Sequence, residues 1–270
     1  MKIKASLIIT MISASVFISC QEDQITESGT LSSEDYLFAE NIFNDVGRIV
    51  EDAFINNGEA KSCPDYIVMN ADSTNKDTII VDFGNGNPDN CLSYGDERKG
   101  KIIIIYTGKY KDSLSVIHTT FDNYYVNNNR IQGERILTNK GRNEDGNFTF
   151  SIDIIDASIK RNGTINWESN QNIEYLEGYN TFINPFDDKY IIDGSGSGNS
   201  INGQDFIFTI TNDLYIDLSC LSNNTCVITS GEVKLTPAGY SERYINYGDN
   251  LCDCNISITL NGEEHFVVIN

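Results

Sequence analysis

The sequence has few side chains for acid–base chemistry and little positive charge. Its 270 residues include two histidines, one tryptophan and four prolines, and 19 lysines and arginines stand against 39 aspartates and glutamates. The net charge of -20 excludes a nucleic-acid-binding protein, because phosphate recognition needs a basic surface. Negative charge also excludes adsorption to anionic lipid. With 40% hydrophobic residues, the chain has enough apolar material for a folded core.

One long apolar run occurs, over residues 5–18, and it follows Lys2 and Lys4. It is too short to span a bilayer comfortably and predicts a secretory signal. At its end, Phe17-Ile18-Ser19-Cys20 resembles a bacterial lipobox. In a lipobox the chain is cut before the cysteine, and lipid that includes palmitate is attached to that cysteine. We expect residues 1–19 to be a signal peptide, Cys20 to be lipidated and residues 20–32 to form a polar acidic tether.

The residues that follow Cys20 are acidic. Gln21-Glu22-Asp23-Gln24 resembles the short export signal that sends lipoproteins of Bacteroidota to the outer surface of the outer membrane. The alternative is a solvated linker, since the segment is polar throughout. The sequence therefore predicts an outer-membrane protein that is held by its lipid and faces the cell exterior.

Six further cysteines predict three disulfides, since an even set in an exported chain favours bridges. They are Cys63, Cys91, Cys220, Cys226, Cys252 and Cys254. Their clustering predicts a local bridge between Cys63 and Cys91. A zinc site is the alternative, but thiolates are oxidised outside the cytoplasm, so we expect no metal.

The C-terminal cysteines are expected to pair through strand geometry. Cys252 and Cys254 are two residues apart and would share one face of a strand. An antiparallel partner segment would then meet them in nested order. This predicts the pairs Cys226–Cys252 and Cys220–Cys254.

A helical pattern covers residues 33–56, with Ser32 or Ser33 as its cap and Glu34 in the first turn. Apolar residues recur in it at steps of three to four, at Phe38, Ile42, Val46, Ile49, Ala53 and Phe54. Asn57-Gly58 then predicts the end of the helix. One face is apolar, so this amphipathic helix needs a surface to pack on.

The rest of the chain, from Cys63 onward, alternates apolar and polar residues, as in Phe148, Phe150 and Ile152. Asn-Gly pairs such as Asn202-Gly203 predict tight hairpins, giving a meander of roughly eleven to thirteen antiparallel strands. Glycines 108 and 133 within such runs predict bends that curve the sheet. We predict one mainly β domain over residues 33–270, a large curved open or half barrel with the helix on its concave face. A β-sandwich is the alternative.

Two segments carry more specific expectations. Residues 102–105 are all isoleucine, which predicts a central strand that is covered on both faces. Residues 194–198, Gly-Ser-Gly-Ser-Gly, do not precede a helix and so cannot form a phosphate loop. A flexible hairpin loop is expected there.

Several motifs are similar to those of a family of uncharacterised lipoproteins in Bacteroidota. They are Thr120-Phe121-Asp122-Asn123-Tyr124-Tyr125-Val126, Tyr247-Gly248-Asp249-Asn250-Leu251-Cys252-Asp253, Asp82-Phe83-Gly84 and the run from Gly100 to Gly108. The resemblance spans most of residues 79–269 and implies location and fold, with no activity attached. In the same phylum, triplets such as Asp72-Ser73-Thr74 are O-glycosylated, which makes Ser73 a candidate modification site.

No catalytic pattern accompanies the histidines, His118 and His265, since a Gly-x-Ser-x-Gly elbow is absent from the sequence. Acid pairs such as Glu174 with Glu177, Asp187 with Asp188, and Glu263 with Glu264 leave a glycan-active hydrolase open. The aromatic residues Tyr110, Phe121, Tyr124, Tyr125 and Trp167 leave a sugar-stacking platform open.

The leading functional prediction is a monomeric, lipid-anchored cell-envelope protein that binds a ligand or partner and catalyses nothing. Its ligand would be a glycan, a protein or an apolar molecule. A carrier of apolar molecules inside the half barrel is the first alternative, and a glycan-active hydrolase is the second. No catalytic residue, cofactor or metal ligand is predicted.

Overall fold

The computed structural model describes residues 30–56, 63–69, 77–86, 91–108, 112–181, 184–223 and 226–268. In this part of the chain one α-helix precedes fourteen β-strands. The elements are α1 (Leu31–Asn56), β1 (Asp65–Met69), β2 (Asp77–Asp82), β3 (Cys91–Ser93), β4 (Asp96–Tyr106), β5 (Val116–Val126), β6 (Asn129–Arg142), β7 (Phe148–Lys160), β8 (Thr164–Glu177), β9 (Lys189–Asn199), β10 (Asp205–Asp217), β11 (Ile228–Pro237), β12 (Arg243–Asp249), β13 (Asn255–Leu260) and β14 (Glu263–Val268).

All fourteen strands belong to one open antiparallel sheet. Its order is β1-β2-β4 and then consecutively to β14, while the three-residue strand β3 pairs with β4 off this path. The predicted open meander with one packed helix is confirmed, and the sandwich alternative is wrong. The strand number exceeds the predicted range because β3 is too short for its alternation to be visible in the sequence.

The helix α1 begins two residues before its predicted start. The hydroxyl of Thr30 donates to the carboxylate of Glu34, and the backbone N–H of Glu34 donates to the carbonyl of Thr30 over 2.9 Å. Thr30 is therefore the cap, and the predicted caps Ser32 and Ser33 are wrong. Both serines lie fully buried within the fold.

The sheet curves around the helix. Tyr36 of α1 packs on Trp167 of β8 at 5.5 Å and on Phe208 of β10 at 4.9 Å between ring centres, and it interacts electrostatically with Tyr247 of β12. In a flat sheet, β8 and β12 would lie about 19 Å apart at the usual strand spacing. One tyrosine reaches all three strands because the sheet is bent, with α1 on its concave face.

Glycine makes this packing possible in strand β9, where residues 194–198 were predicted to be a loop. That prediction is wrong, since the segment pairs with both β8 and β10. A Cβ on Gly196 would lie 2.5 Å from the ring of Phe208, and one on Gly198 would lie 2.4 Å from the ring of Phe206. The glycines are therefore strand residues that leave room for inward-facing aromatic rings.

The two glycines predicted to bend the sheet differ. Gly133 lies at a register shift between β6 and β7 with φ +110°, and a Cβ there would lie 2.5 Å from the Cα of Ala157. This confirms the predicted bulge, because only glycine permits that approach. Gly108 instead follows the end of β4, so the prediction of a bend inside that strand is wrong.

Strand β4 has one covered face and one open face in the described structure. Ile102 and Ile104 are fully buried toward α1, whereas Ile103 and Ile105 are half-buried on the convex side. The helix occupies the concave side and the described strands all belong to the one sheet. The expectation of cover on both faces is therefore wrong for the part of the chain described.

Candidate functional site

Two predicted modification sites, Cys20 and Ser73, lie outside the described residues, as does Tyr110. Three disulfides are present, and the bridge between Cys63 and Cys91 is as predicted, with 5.6 Å between its Cα atoms. It ties the segment just before β1 to β3. Because it joins residues 28 apart, it removes substantial entropy from the unfolded chain.

The predicted pairing of the C-terminal cysteines is wrong. The structure joins Cys220 to Cys252 and Cys226 to Cys254, each with 5.2 Å between Cα atoms. The nested order assumed that Cys252 and Cys254 lie in a strand, but they lie between β12 and β13, and Cys220 lies in a 3-10 turn. Outside a ladder, strand register does not set the pairing order.

The aromatic residues weighed as a stacking platform do not form one. Trp167 and Tyr124 are almost fully buried, and Phe121 packs on Phe43 of the helix at 6.4 Å between ring centres. Tyr125 is half-buried and lies beneath the ammonium group of Lys99, at 4.4 Å. Trp167, Tyr124 and Phe121 belong to the core, and the ammonium group of Lys99 lies over the ring of Tyr125, so the described rings present no flat exposed surface to a sugar.

The titratable residues weighed for catalysis lie in separate places. Nε2 of His118 lies within hydrogen-bonding distance of the carboxylate of Glu134, at 2.6 Å on the convex face, while His265 lies exposed on β14. Glu177 pairs with Lys189 at 3.2 Å, and Glu174 accepts a hydrogen bond from Asn147 at 2.8 Å. Within the described residues, no group of three metal-binding side chains occurs either.

The concave face is filled by α1, and its contacts include a buried carboxyl group. Glu40 accepts hydrogen bonds from the amide of Gln171 at 3.2 and 3.3 Å and from the amide of Asn44 at 3.3 Å. Burial raises the pKa of Glu40 above its usual range, and these two amides offset part of that rise. The protonated form of this carboxyl group is therefore favoured by the fold.

A second polar contact holds the other half of the helix. Arg98 of β4 is buried and donates to both carboxylate oxygens of Asp45, at 2.6 and 3.0 Å. Its guanidinium group also donates to the hydroxyl of Tyr124 at 2.8 Å and to the carbonyl of Ser93 at 3.2 Å. The carboxylate of Asp96 accepts a further hydrogen bond from it at 3.2 Å. A buried cation with these five acceptors positions the helix on the sheet.

Little space is left between the helix and the sheet. A cavity beside Glu40 has a volume of about 10 Å³, which is about the size of one water molecule. The hydroxyl of Ser169 lines it and has no hydrogen-bond partner among the described residues. This cavity is too small for an apolar ligand.

A second concavity lies on the convex face and has a volume of about 670 Å³. It crosses β7 to β11, and we call it the outer groove. Its walls are two rows of outward-facing side chains at matched positions of neighbouring strands. One row contains Asn166, Asn199 and Asp205, and the other contains Glu168, Ser197, Ile207 and Thr236.

The pleat of the sheet explains the floor of the outer groove. Between the two rows lie Trp167, Gly198 and Phe206, paired with one another across β8, β9 and β10. Their neighbours in sequence point outward, so the rings of Trp167 and Phe206 point inward. These two side chains are 1% and 2% exposed. The convex surface between the rows therefore offers only backbone.

The two ends of the outer groove are also defined by the backbone. Asp156 lies at a register shift between β7 and β8 with φ +48°, and this bulge raises one end. At the other end, the backbone N–H of Ala238 donates to the carbonyl of Asp205 at 2.8 Å. The side chain of Gln204 donates to the carbonyl of Ala238 at 2.6 Å. The groove is thus built on paired strands and a hydrogen-bonded turn.

Apart from Trp167, the residues of the outer groove were not predicted from the sequence. The signal was the strict alternation of Gly and Ser over residues 194–198, which places serines outward and glycines inward. A matching alternation in β8 and β10 would have placed Glu168 and Ile207 beside Ser197. The register that joins them is set by the fold.

In the described part of the chain, no helix combines the length and the apolar character of a membrane span. No protein-family model matches this chain, and no curated protein and no solved structure shows significant similarity to it.

Proposed function

We propose that this chain is a lipid-anchored, surface-facing protein of the bacterial outer membrane that binds a ligand or partner without converting it. The lipobox-like residues before Cys20 and the acidic segment 21–24 support the anchor and its orientation. The three disulfides support an oxidising compartment. The resemblance to lipoproteins of Bacteroidota supports the same location.

The observation that carries the binding proposal is the contrast between the two faces of the sheet. The concave face is occupied by α1 and retains a cavity of about 10 Å³, whereas the outer groove has about 670 Å³. Ligand sites in proteins usually have volumes of about 300 to 1,000 Å³. This contrast favours binding on the convex face over the transport of an apolar molecule inside the half barrel.

The arrangement of acids favours binding over glycan hydrolysis. Glu174 accepts a hydrogen bond and Glu177 forms an ion pair elsewhere, and neither lines the outer groove. Of the carboxylates that do line it, that of Asp205 is held by the amide of Asn199 at 2.8 Å. A glycosidase needs two carboxyl groups at a set separation across one bond. We therefore place the proposed function in the class of binding modules.

The anchor is tested by the Cys20→Ala variant, expressed in a Bacteroidota host that is fed an alkyne analogue of palmitate. We expect the variant to lose the label. The Cys226→Ala, Cys254→Ala double variant is the matched control, since it removes cysteines without touching the lipobox, and it should keep the label. Labelling of the Cys20→Ala variant at the level of the wild type would contradict the anchor.

The outer groove is tested by a matched pair of substitutions in β9. Ser197→Tyr places a ring in the groove, whereas Ser195→Tyr places the same ring two residues along the same outward face, outside the groove. Probes of three classes would be offered: neutral oligosaccharides, oligolysine and palmitate. We expect one of them to bind the wild type and Ser195→Tyr, and to bind Ser197→Tyr about tenfold more weakly. Failure of every probe to distinguish the two variants would contradict the proposal.

A further inference from the structure

We infer that the ligand of the outer groove is a neutral polyhydroxylated chain, a glycan segment, and this inference rests on the proposed function. Its basis is the chemistry of the two rows of side chains that wall the groove. No residue given above as a predicted site contributes to those rows.

The walls of the groove both donate and accept hydrogen bonds. The carboxylates of Glu168 and Asp205 only accept, whereas the amide of Asn166 and the hydroxyls of Ser197 and Thr236 donate as well as accept. A ligand hydroxyl also does both, so a polyol can satisfy every one of these groups. A simple cation would satisfy only the carboxylates. The hydroxyl and amide groups would then have only water as hydrogen-bond partner.

The charge of the groove excludes anionic ligands. Among the described residues its lining contains Asp156, Glu168 and Asp205 and no lysine or arginine, and the whole chain carries -20. Sulfated, phosphorylated or acidic sugars would be repelled by this field. Among glycans, the structure therefore assigns the groove to neutral ones.

The groove is arranged in advance of binding. The amide of Asn199 donates to the carboxylate of Asp205 at 2.8 Å, which holds both side chains in place. The walls stand on interior strands of the sheet, so little conformational entropy is lost when a ligand is bound. Five strands at the usual spacing span about 19 Å, long enough for several sugar rings in a row.

An apolar contact is available for the C–H face of a sugar. Ile207 is 59% exposed and lies in the wall between Ser197 and Thr236. The rings of Trp167 and Phe206 lie under the floor, so stacking on an aromatic face does not contribute. One protein molecule should accordingly bind one glycan segment weakly. Binding is therefore best measured with many copies of the glycan presented together.

The test uses the full chain, purified in detergent, on an array of neutral oligosaccharides, with oligolysine and sulfated dextran as comparison probes. Wild type, Ser197→Tyr and the control Ser195→Tyr are measured at low salt and at 0.5 M NaCl. We expect at least one neutral oligosaccharide to bind wild type and the control equally, and Ser197→Tyr about tenfold more weakly. Raising the salt should change this binding by less than about twofold, because no ion pair is involved.

Other outcomes overturn the inference in distinguishable ways. If oligolysine binds, loses its binding in salt and is weakened by Ser197→Tyr, the groove is a binding site for a basic peptide. In that case the glycan assignment fails while the proposed function stands. If no neutral oligosaccharide binds, or if both variants bind it alike, the glycan assignment fails. If no probe of any class distinguishes the two variants, the proposed function fails with it.

Discussion

The contact between Asp45 of the helix and Arg98 of the sheet is expected to contribute strongly to stability. The side chain of Arg98 has 0% exposure and that of Asp45 has 10%. Removing the carboxylate by Asp45→Ala leaves a buried guanidinium group with Tyr124, Ser93 and the partly exposed Asp96 as its remaining partners. Breaking one side of a buried ion pair typically destabilises a protein by about 3 to 5 kcal/mol. We expect the Asp45→Ala variant to lose that amount of unfolding free energy.

A double-mutant cycle separates the interaction energy of Asp45 and Arg98 from the cost of burying their charges. The Asp45→Leu, Arg98→Met variant removes both charges and fills much of their volume, so its loss should be no more than about 2 kcal/mol. Asp45 also pairs with Arg48 at 2.6 Å, but the side chain of Arg48 is 31% exposed. The control Arg48→Ala should therefore cost less than about 1 kcal/mol.

The assay is urea unfolding followed by circular dichroism, with disulfides intact in all variants. A loss below about 1 kcal/mol in Asp45→Ala would refute the reasoning, since a buried cation would then tolerate the loss of its main partner. The single variants Asp45→Leu and Arg98→Met complete the cycle. A double variant whose loss equals the sum of these two losses would also refute the reasoning, because the two residues would then act independently.

Three further predictions concern the core and the bridges. Burial raises the pKa of Glu40 above its ordinary value of 4.5. The protonated carboxyl group therefore contributes to the free energy of unfolding below that pH, and this contribution is lost as pH rises through the pKa of the folded state. Glu40→Gln should therefore raise the urea midpoint at pH 7 to 8 and leave it unimproved near about pH 4. Gly198→Val should lower stability by about 1 to 3 kcal/mol through its clash with a buried ring, while Ser197→Val should stay within about 0.5 kcal/mol, both measured by thermal melting. Removing Cys226 and Cys254 together should cost about 3.5 kcal/mol on the chain-entropy model, measured by urea unfolding.

Each of these predictions has a contrary outcome. A Glu40→Gln variant that gains no stability relative to wild type as pH rises would show that the buried carboxyl group is not destabilised by ionisation. Equal melting temperatures for the two β9 variants would show that Gly198 does not face the core. Peptide mapping without reduction that recovers Cys226 joined to Cys252 would contradict the disulfide arrangement.

The local pattern was sufficient for the class of the fold. The three-to-four residue repeat from Phe38 to Phe54 predicts the helix, and alternation such as that of Phe148 and Phe150 predicts the strands, because both depend on neighbours in sequence. The Asn-Gly pairs predict the hairpin turns, and strands joined by successive hairpins form a meander. The bridge from Cys63 to Cys91 followed from proximity along the chain.

Features that depend on residues distant in sequence were not predicted. Gly196 and Gly198 look like loop residues until Phe208 and Phe206 are placed beside them, so β9 was predicted as a loop. The four C-terminal cysteines lie outside the strands, so the alternation of apolar and polar residues does not predict how they pair. Ile103 and Ile105 are apolar like their buried neighbours, but the described structure places nothing over them.

The sequence by itself therefore determined the helix, the alternating strands and the antiparallel order, because each follows from short-range steric and hydrophobic preferences. It also supplies the features that predict an exported, lipidated protein. Only the tertiary structure decided how tightly the sheet bends and where the outer groove lies. Those properties come from the register that brings residues such as Glu168, Ser197 and Ile207 together from three strands. Register is a property of the whole sheet, since one residue of slip in a single strand would turn its groove side chain into the core.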